Sequence, residues 1–336
     1  MNERQKTILN YLQSRFPLEP RPFAVIADQH VSEDEIISYV KQLKQYLVIR
    51  RIGPIFSARQ LGYTSTLIAA QVPPEKLDAF ADEVSANPGV SHNYGRNHKF
   101  NIWFTLTVQS HKKIDETIDY LRKKYQLTDI LNLPALKMFK LNTNFTTTNS
   151  RQLHHSQLQY SQEVSGTQSP LSAPCPALSE SQIAIIRQLQ HDLPVVAEPF
   201  RAMADKMEID VSALLQQIKD WKSSGLIRRF GAIVRHQLIG FTANAMIVFQ
   251  VDPDEIDKNG SLLASYSQVS HCYQRASATG WPYNLFAMTH CHSENELNEL
   301  ATEMVKRIKP IKYDILFTTA EYKKESVKYL VENSYE

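Results

Sequence analysis

An α+β fold made twice within one chain is what this amino-acid sequence predicts, and three observations predict it. First, the two halves repeat each other. PRPFAVIADQH near residue 21 answers AEPFRAMADKM near 198, and VIRRIGPIF at 48 answers LIRRFGAIV at 226. Gly62-Tyr63 answers Gly240-Phe241, and VSHNYGR at 90 answers VSHCYQR at 269. Order and spacing are kept along each half, which chance does not produce. Second, within each half the apolar period changes from helical to alternating. Third, residues 142–178 are rich in Ser, Thr, Gln, Asn and Pro with no apolar period, as a linker is. About 35 such residues reach about 30 Å, enough for the halves to dock side by side as two subunits would, a pseudo-dimer.

The elements follow in order. Three short helices are expected over 3–15, 22–29 and 32–46, the last with Ile36, Ile37, Val40, Leu43 and Leu47 at helical spacing. Ser32 with Glu35 reads as a capping box; Ser179 with Gln182 and Ser293 with Glu296 read the same way. VIRRIGPIFSARQLG has the alternation and glycine of a small hairpin, completing a winged helix-turn-helix. A strand (63–72), helix (74–86), strand (89–96), strand (100–108), helix (111–124) and strand (134–141) then spell β-α-β-β-α-β, the ferredoxin-like order. The second half repeats the strands near 241–251, 268–275, 283–290 and 311–319. Domain boundaries are therefore expected at 1–61 and 62–141, then the linker, then 179–239 and 240–322, with 323–336 as a tail.

Composition excludes several function classes. The 336 residues are 43% hydrophobic and 21% charged, the balance of a soluble globular protein with more than one core. Lys plus Arg number 37 against 35 acidic residues, so a net charge of +2 gives no bulk attraction for polyanions. No apolar run reaches membrane-span length, and MNERQKTILNYL is polar and amphipathic, so a cytoplasmic protein is expected. Cys175, Cys272 and Cys291 form neither a disulfide framework nor a CxxC spacing. GxGxxG, GxxxxGK[ST], GxSxG and HExxH are all missing from the sequence. His154-His155 fall in the linker, and His290-Cys291-His292 offers too few ligands for a transition metal.

Chemistry is expected on one sheet face. Alternation along a strand puts His92, Tyr94 and Arg96 on one side and Ser91, Asn93 and Gly95 on the other. His271, Tyr273 and Arg275 repeat the first set. Phe100, Ile102, Phe104, Leu106 and Val108 suit the helices, leaving Asn101, Trp103 and Thr105 opposite; Asn284, Phe286 and Met288 match these in the second half. Each residue alone would read as interface packing. A His and an Arg together on a partly apolar face instead ask for an anionic or metal partner.

Arg50-Arg51 and Arg228-Arg229 open the two wings, where basic residues ordinarily meet phosphate. The third helix of the first half, however, begins Ser32, Glu33, Asp34, Glu35, and its counterpart from Asp210 to Trp221 carries only Lys219 as a cation. DNA contact is disfavoured on charge, which leaves the arginines to face inward to an acidic ligand.

Winged helix plus ferredoxin-like unit resembles the Lrp/AsnC regulators. Within that superfamily VSHNYGRNHKFNIWFTL and VSHCYQRASATGWPYNLFAMTH resemble the A-type and B-type subunits of siroheme decarboxylase, as a gene fusion would join them. The second half departs by its longer SATGWP insertion, so the two pockets differ. The resemblance implies loss of carbon dioxide from two acetate side chains of siroheme, giving didecarboxysiroheme on the way to protohaem or d1-type haem. It implies no cofactor beyond the iron carried by the substrate and no metal site of the protein's own. The expected proton donors are His92, Tyr94, His271 and Tyr273; whether His92 or His271 is instead an axial ligand of the substrate iron stays open. Substrate binding is expected from Arg50, Arg51, Arg96, His98, Asn101, Trp103, Arg228, Arg229, Arg275, Trp281, Tyr283 and Asn284, with Trp103, Phe104, Trp281 and Phe286 as an apolar wall. The rival is a DNA-binding regulator that senses an amino acid or tetrapyrrole; a third reading has one of the two pockets silent. Further homo-oligomerisation stays open, because exposed sheet edges could pair.

Overall fold

The computed structural model of the protein describes residues 3–141, 178–234 and 243–331. The linker up to residue 177, with His154, His155 and Cys175, lies outside the described residues, as does the Gly240-Phe241 pair. The first half runs α1 (Glu3–Ser14), α2 (Pro22–Ile26), α3 (Glu33–Gln45), β1 (Ile49–Phe56), β2 (Thr64–Ala70), α4 (Leu77–Ala86), β3 (Val90–Arg96), β4 (Ile102–Val108), α5 (His111–Tyr125) and β5 (Ile130–Leu141). The second runs α6 (Glu180–Leu189), α7 (Pro199–Lys206), α8 (Val211–Ser223), β6 (Ile227–Val234), β7 (Ala243–Gln250), α9 (Ile256–Ser265), β8 (Val269–Arg275), β9 (Leu285–Cys291), α10 (Glu294–Ile308) and β10 (Lys312–Lys324).

Local chemistry explains the helix ends. Both sides of the capping box are made at Ser32/Glu35 and at Ser179/Gln182. At α10 only half of it is: Ser293 accepts from the Glu296 N–H, but the Glu296 carboxylate turns to the His292 N–H. Helix α2 is shorter than expected because the Asp28 side chain accepts from the N–H groups of His30 and Val31, a local turn that competes with the helix.

The wing strands pair across the halves. β1 pairs with β6 of the other half, antiparallel, with Gly53 opposite Gly231. This ribbon and the helices α1–α3 and α6–α8 share one apolar core, so Leu12, Ile36 and Ile52 are buried together with Ile186, Ile218 and Phe230. Three residues of the expected tail pack on this core: Tyr329 is buried there with Val327 and Leu330 against it, and Leu330 N–H donates to the Tyr63 hydroxyl.

The remaining strands close into an eight-stranded barrel in the order β10-β3-β4-β2-β5-β8-β9-β7. Two strands run longer than expected, because each serves both halves. β5 pairs with β2 through Ala70↔Ile130 to Thr66↔Pro134, then with β8 through Ala135↔Arg275 to Leu141↔His271. β10 pairs with β7 over Lys312–Phe317, then with β3 from Thr318↔Arg96 to Lys324↔His92. Closure leaves these barrel strands no exposed edge. Helices cover the outside: α4 and α5 over Ile68, Phe104 and Leu106, and α9 and α10 over Ile247, Leu285 and Ala287. A third apolar cluster, with Trp103, Leu133, Val248, Trp281 and Phe286, fills part of the inside.

Candidate active site

Strands β3 and β8 set the site. Each has a bulge, where register slips between Val90 and His92 and between Val269 and His271. A bulge re-aims side chains, and here it corrects the expectation that Ser91 faces away from His92. Ser91 Oγ lies 2.8 Å from His92 Nδ1, and Ser270 Oγ lies 2.8 Å from His271 Nδ1. Past the bulge the alternation resumes, so His92, Tyr94 and Arg96, and likewise His271, Tyr273 and Arg275, line the inner face. Asn93 faces the helices, donating to the Ala81 carbonyl.

Along each trio the imidazole and phenol rings sit 6.1 Å and 6.3 Å apart. The guanidinium of Arg96 lies 5.2 Å from the Tyr94 ring centre and that of Arg275 lies 5.0 Å from Tyr273. Tyr94 stands opposite Trp103 on β4, and Tyr273 stands opposite Phe286 on β9. Arg96 is 6% exposed. Its Nη1 donates to the Leu316 carbonyl at 3.1 Å and to Thr318 Oγ1 at 2.6 Å, while Arg275 Nη1 donates to the Leu133 carbonyl at 2.7 Å. The Nε of each is buried with no hydrogen-bond partner. Burial pulls both arginines down to about 10, opposed by the neighbouring tyrosine, Tyr94 for Arg96 and Tyr273 for Arg275.

Burial also sets the imidazoles. It is the first cause that lowers His92 to about 3, followed by the charges of His271, Lys324 and Arg50. His271 falls to about 4, again mainly by burial, then by Arg275, Lys140 and Lys324. Both rings are therefore neutral at pH 7. Burial raises Tyr94 and Tyr273, with Glu321 adding to the first, so both phenols keep their protons.

The arginine pairs divide. The charge of Arg50 bears on His92 and Tyr94, and that of Arg228 bears on Tyr273 and on Tyr329. Arg51 and Arg229, expected to bind substrate, are instead turned to helix ends. Arg51 donates to the Leu189 and Gln190 carbonyls at the end of α6, and Arg229 donates to the Gln13 carbonyl at the end of α1. A cation there complements the helix dipole.

Other expected residues are placed elsewhere. Asn101 bridges the N–H and carbonyl of Val72, and Asn284 bridges those of Val251, so both amides are consumed as backbone clasps. Phe104 packs under the helices, not in the wall, and Phe100 packs inside, not under the helices. His98 accepts from the Phe100 N–H and lies 3.7 Å from the Asp314 carboxylate. Its ring centre lies 5.5 Å from that of Trp281, which in turn lies 4.8 Å from Tyr283 and 5.1 Å from Trp103, so these rings join the inner apolar cluster. Trp281 Nε1 is buried without a partner. In the His290-Cys291-His292 run, Cys291 points to the helix core and His290 bonds to Ser270 and Asn244. Among the described residues no group of three or more His, Cys, Asp or Glu is placed to hold a metal ion, and no helix is long and apolar enough to cross a membrane.

Sequence reasoning missed Lys324 and Lys140, which lie beyond or at the end of the expected strands, and the serines before each histidine. The repeated Ser-His dipeptide was the available signal for the latter.

Two family models match the chain, each twice: an AsnC-like ligand binding domain over 60–140 and 238–323, and a siroheme decarboxylase NirDL-like HTH domain over 5–50 and 182–228. The molecule is thus of the class that joins duplicated AsnC-like ligand-binding units to helix-turn-helix units. A siroheme decarboxylase of Hydrogenobacter thermophilus is 34% identical over 330 residues, 97% of this chain and 94% of the relative. The siroheme decarboxylase alpha subunit of Desulfovibrio desulfuricans is 42% identical over 146 residues, 43% of this chain and 84% of that subunit. A crystal structure of the siroheme decarboxylase NirDL in co-complex with an iron-uroporphyrin III analogue matches with a TM-score of 0.73 at 32% identity, covering 98% of this chain and 94% of that one. This chain belongs to the siroheme decarboxylase family.

Proposed function

We infer that the chain is a carboxy-lyase that removes carbon dioxide from two acetate side chains of siroheme, giving didecarboxysiroheme in haem biosynthesis. The observation that carries the reading is the pair of buried guanidiniums, Arg96 and Arg275, each neutralised by no carboxylate among the described residues and each with an unused Nε–H. A buried uncompensated cation is costly, and a substrate rich in carboxylates offsets that cost. Each charge-assisted hydrogen bond to such a carboxylate is worth about 1.5–3 kcal/mol.

Arg50, Arg228 and Lys324 add positive potential around the rings and draw the anionic substrate in. Tyr94, Tyr273, Trp103 and Phe286 wall the reacting acetate from water, which favours departure of neutral carbon dioxide. Loss of carbon dioxide leaves an electron pair on the methylene carbon, delocalised into the macrocycle, and a proton must follow. His92, Tyr94, His271 and Tyr273 are the proton donors in this reading, all in their neutral forms. No cofactor beyond the substrate's own iron is proposed. The halves stand to each other as two subunits would, sharing β5 and β10.

Anaerobic incubation of the purified protein with siroheme, followed by mass spectrometry, tests the reading. Loss of two carbon dioxides is expected; unchanged siroheme overturns it. A regulator would instead retard specific genomic fragments in a salt-dependent gel shift. The acidic start of α3, where Glu33 is ion-paired to Arg21, speaks against that outcome.

A further inference from the structure

The two histidine sites differ behind the ring. In the second half Ser270 Oγ lies 2.8 Å from His271 Nδ1 and 2.8 Å from His290 Nε2, both closer than its 3.3 Å contact to the Met288 carbonyl. His290 Nδ1 in turn meets Asn244 Oδ1. The result is an unbroken chain, His271–Ser270–His290–Asn244, whose second imidazole, His290, is half-buried. In the first half Ser91 Oγ lies 2.8 Å from His92 Nδ1 and 2.7 Å from Thr105 Oγ1. There the strand register puts Thr107 where His290 stands and Ser65 where Asn244 stands, and Thr107 Oγ1 donates to Ser65 Oγ at 3.0 Å. Behind His92 the hydrogen bonds run through hydroxyls; behind His271 there is a second titratable ring.

A hydroxyl carries one proton, so Ser270 donates to one imidazole and accepts from the other. The Asn244 oxygen accepts from His290 Nδ1–H, which leaves His290 Nε2 to carry the exchangeable proton. When His290 is protonated at both nitrogens, its Nε2–H donates to Ser270. Ser270 then donates to His271 Nδ1, and His271 presents Nε2–H to the barrel interior. When His290 is neutral, every donor reverses and His271 presents a bare Nε2.

We propose that His290 is a positioning residue that resupplies, through Ser270, the proton His271 delivers to the substrate carbanion. This rests on the decarboxylase reading above. The step balances: the bond from the methylene to the carboxylate carbon breaks, carbon dioxide leaves, and the electron pair stays on the methylene carbon. His271 Nε2–H protonates that carbon, the Ser270 proton moves to His271 Nδ1, and the His290 Nε2 proton moves to Ser270. The substrate loses one carboxylate charge, the His290 cation becomes neutral, and solvent recharges it. A neutral imidazole buried as His271 is needs such a supply, because giving up its one N–H would otherwise leave an imidazolate.

The test compares His290→Gln, Ser270→Ala and, at the matching first-half position, Thr107→Val in the full chain, reading kcat for carbon dioxide release and siroheme affinity by absorbance titration. Expected are a kcat lower by about 10- to 100-fold in His290→Gln and Ser270→Ala, with siroheme affinity within about twofold, and Thr107→Val close to the parent. Added imidazole should restore turnover to His290→Ala, which a merely structural role would not allow. Parent-like kcat in His290→Gln and Ser270→Ala overturns the relay, as does a loss confined to affinity or an equal loss in Thr107→Val. No product from the unaltered chain overturns the decarboxylase reading itself, so the two failures are distinct.

Discussion

Arg96 Nη1 lies 2.6 Å from Thr318 Oγ1, so the deepest cation of the first-half trio is held by a strand of the second half. Arg275 is held in the same way by the Leu133 carbonyl of the first half. The two trios are therefore completed across the seams where β5 and β10 pass from one sheet to the other, and neither half assembles its own site alone.

Replacing Arg96 or Arg275 by Met separates binding from stability. Each substitution removes a buried charge that no carboxylate among the described residues offsets, and fills the space with apolar atoms. The melting temperature should hold or rise, as replacement of buried ionic groups often allows. Siroheme affinity, followed by absorbance titration, should fall by about one to two powers of ten. A lower melting temperature with unchanged affinity would show that the guanidiniums serve only the carbonyls they touch.

The depressed imidazoles make a pH prediction whose sign is fixed. His92 falls to about 3 and His271 to about 4 in the folded protein, below the ordinary value of 6.5. The unfolded chain thus takes up protons first as pH drops, so stability is full above about 6.5 and is lost progressively down to about 3–4. Urea midpoints measured between pH 7 and 5 should fall in the parent and fall less in a His92→Gln, His271→Gln double variant. Parallel curves would mean that the rings are not desolvated.

Much of the fold was legible because it is written locally. The capping boxes at Ser32 and Ser179 and the alternation around His92 and His271 need no knowledge of the other half. What the sequence hid lies between the halves. The run VIRRIGPIF reads as one arm of a hairpin, and only docking reveals that its partner is LIRRFGAIV. The stretch after Phe317 reads as a strand end followed by a tail, because nothing local says that Thr318 to Lys324 pairs with β3. Asn101 and Asn284 looked like ligand-facing amides, since alternation cannot tell a free amide from one clasped to Val72 or Val251. The trio residues were found by repetition, and Ser270 with His290 were not, because a bulge breaks the alternation on which the reading relied.

Lys324 is the clearest of the late arrivals. It lies at the end of β10 opposite His92 and its charge acts on both imidazoles, whereas Leu141 holds the corresponding place opposite His271. Lys324→Met should weaken siroheme binding and flatten its dependence on salt. It should also raise the imidazole pKa values, readable by NMR titration of the ring protons. Leu141→Met should do neither. Equal responses would mean that Lys324 is only a solvated strand end.

The runs Arg50-Arg51-Ile52-Gly53 and Arg228-Arg229-Phe230-Gly231, an RR-x-G motif in each half, yield the last prediction, and it concerns stability alone. Gly53 and Gly231 face each other in the inter-half ribbon, yet a methyl group would meet different neighbours at each. At Gly231 a Cβ falls 2.6 Å from the Leu12 carbonyl oxygen and 2.7 Å from that of Gln13, both backbone atoms at the end of α1, where Arg229 also docks. At Gly53 the nearest atom is a side-chain tip, Arg51 Nη1, at 2.9 Å, with the Leu189 carbonyl further off at 3.4 Å. Backbone cannot step aside as a side-chain tip does, so Gly231→Ala must push α1 off the ribbon. It should cost about 1–3 kcal/mol in urea denaturation, while Gly53→Ala costs well under half as much. Because Arg228 and not Arg229 acts on Tyr273, carbon dioxide release per folded molecule should be retained in both variants. A matched loss at the two glycines would show that the ribbon tolerates displacement equally on either side and that the close approach to α1 is not what the motif secures.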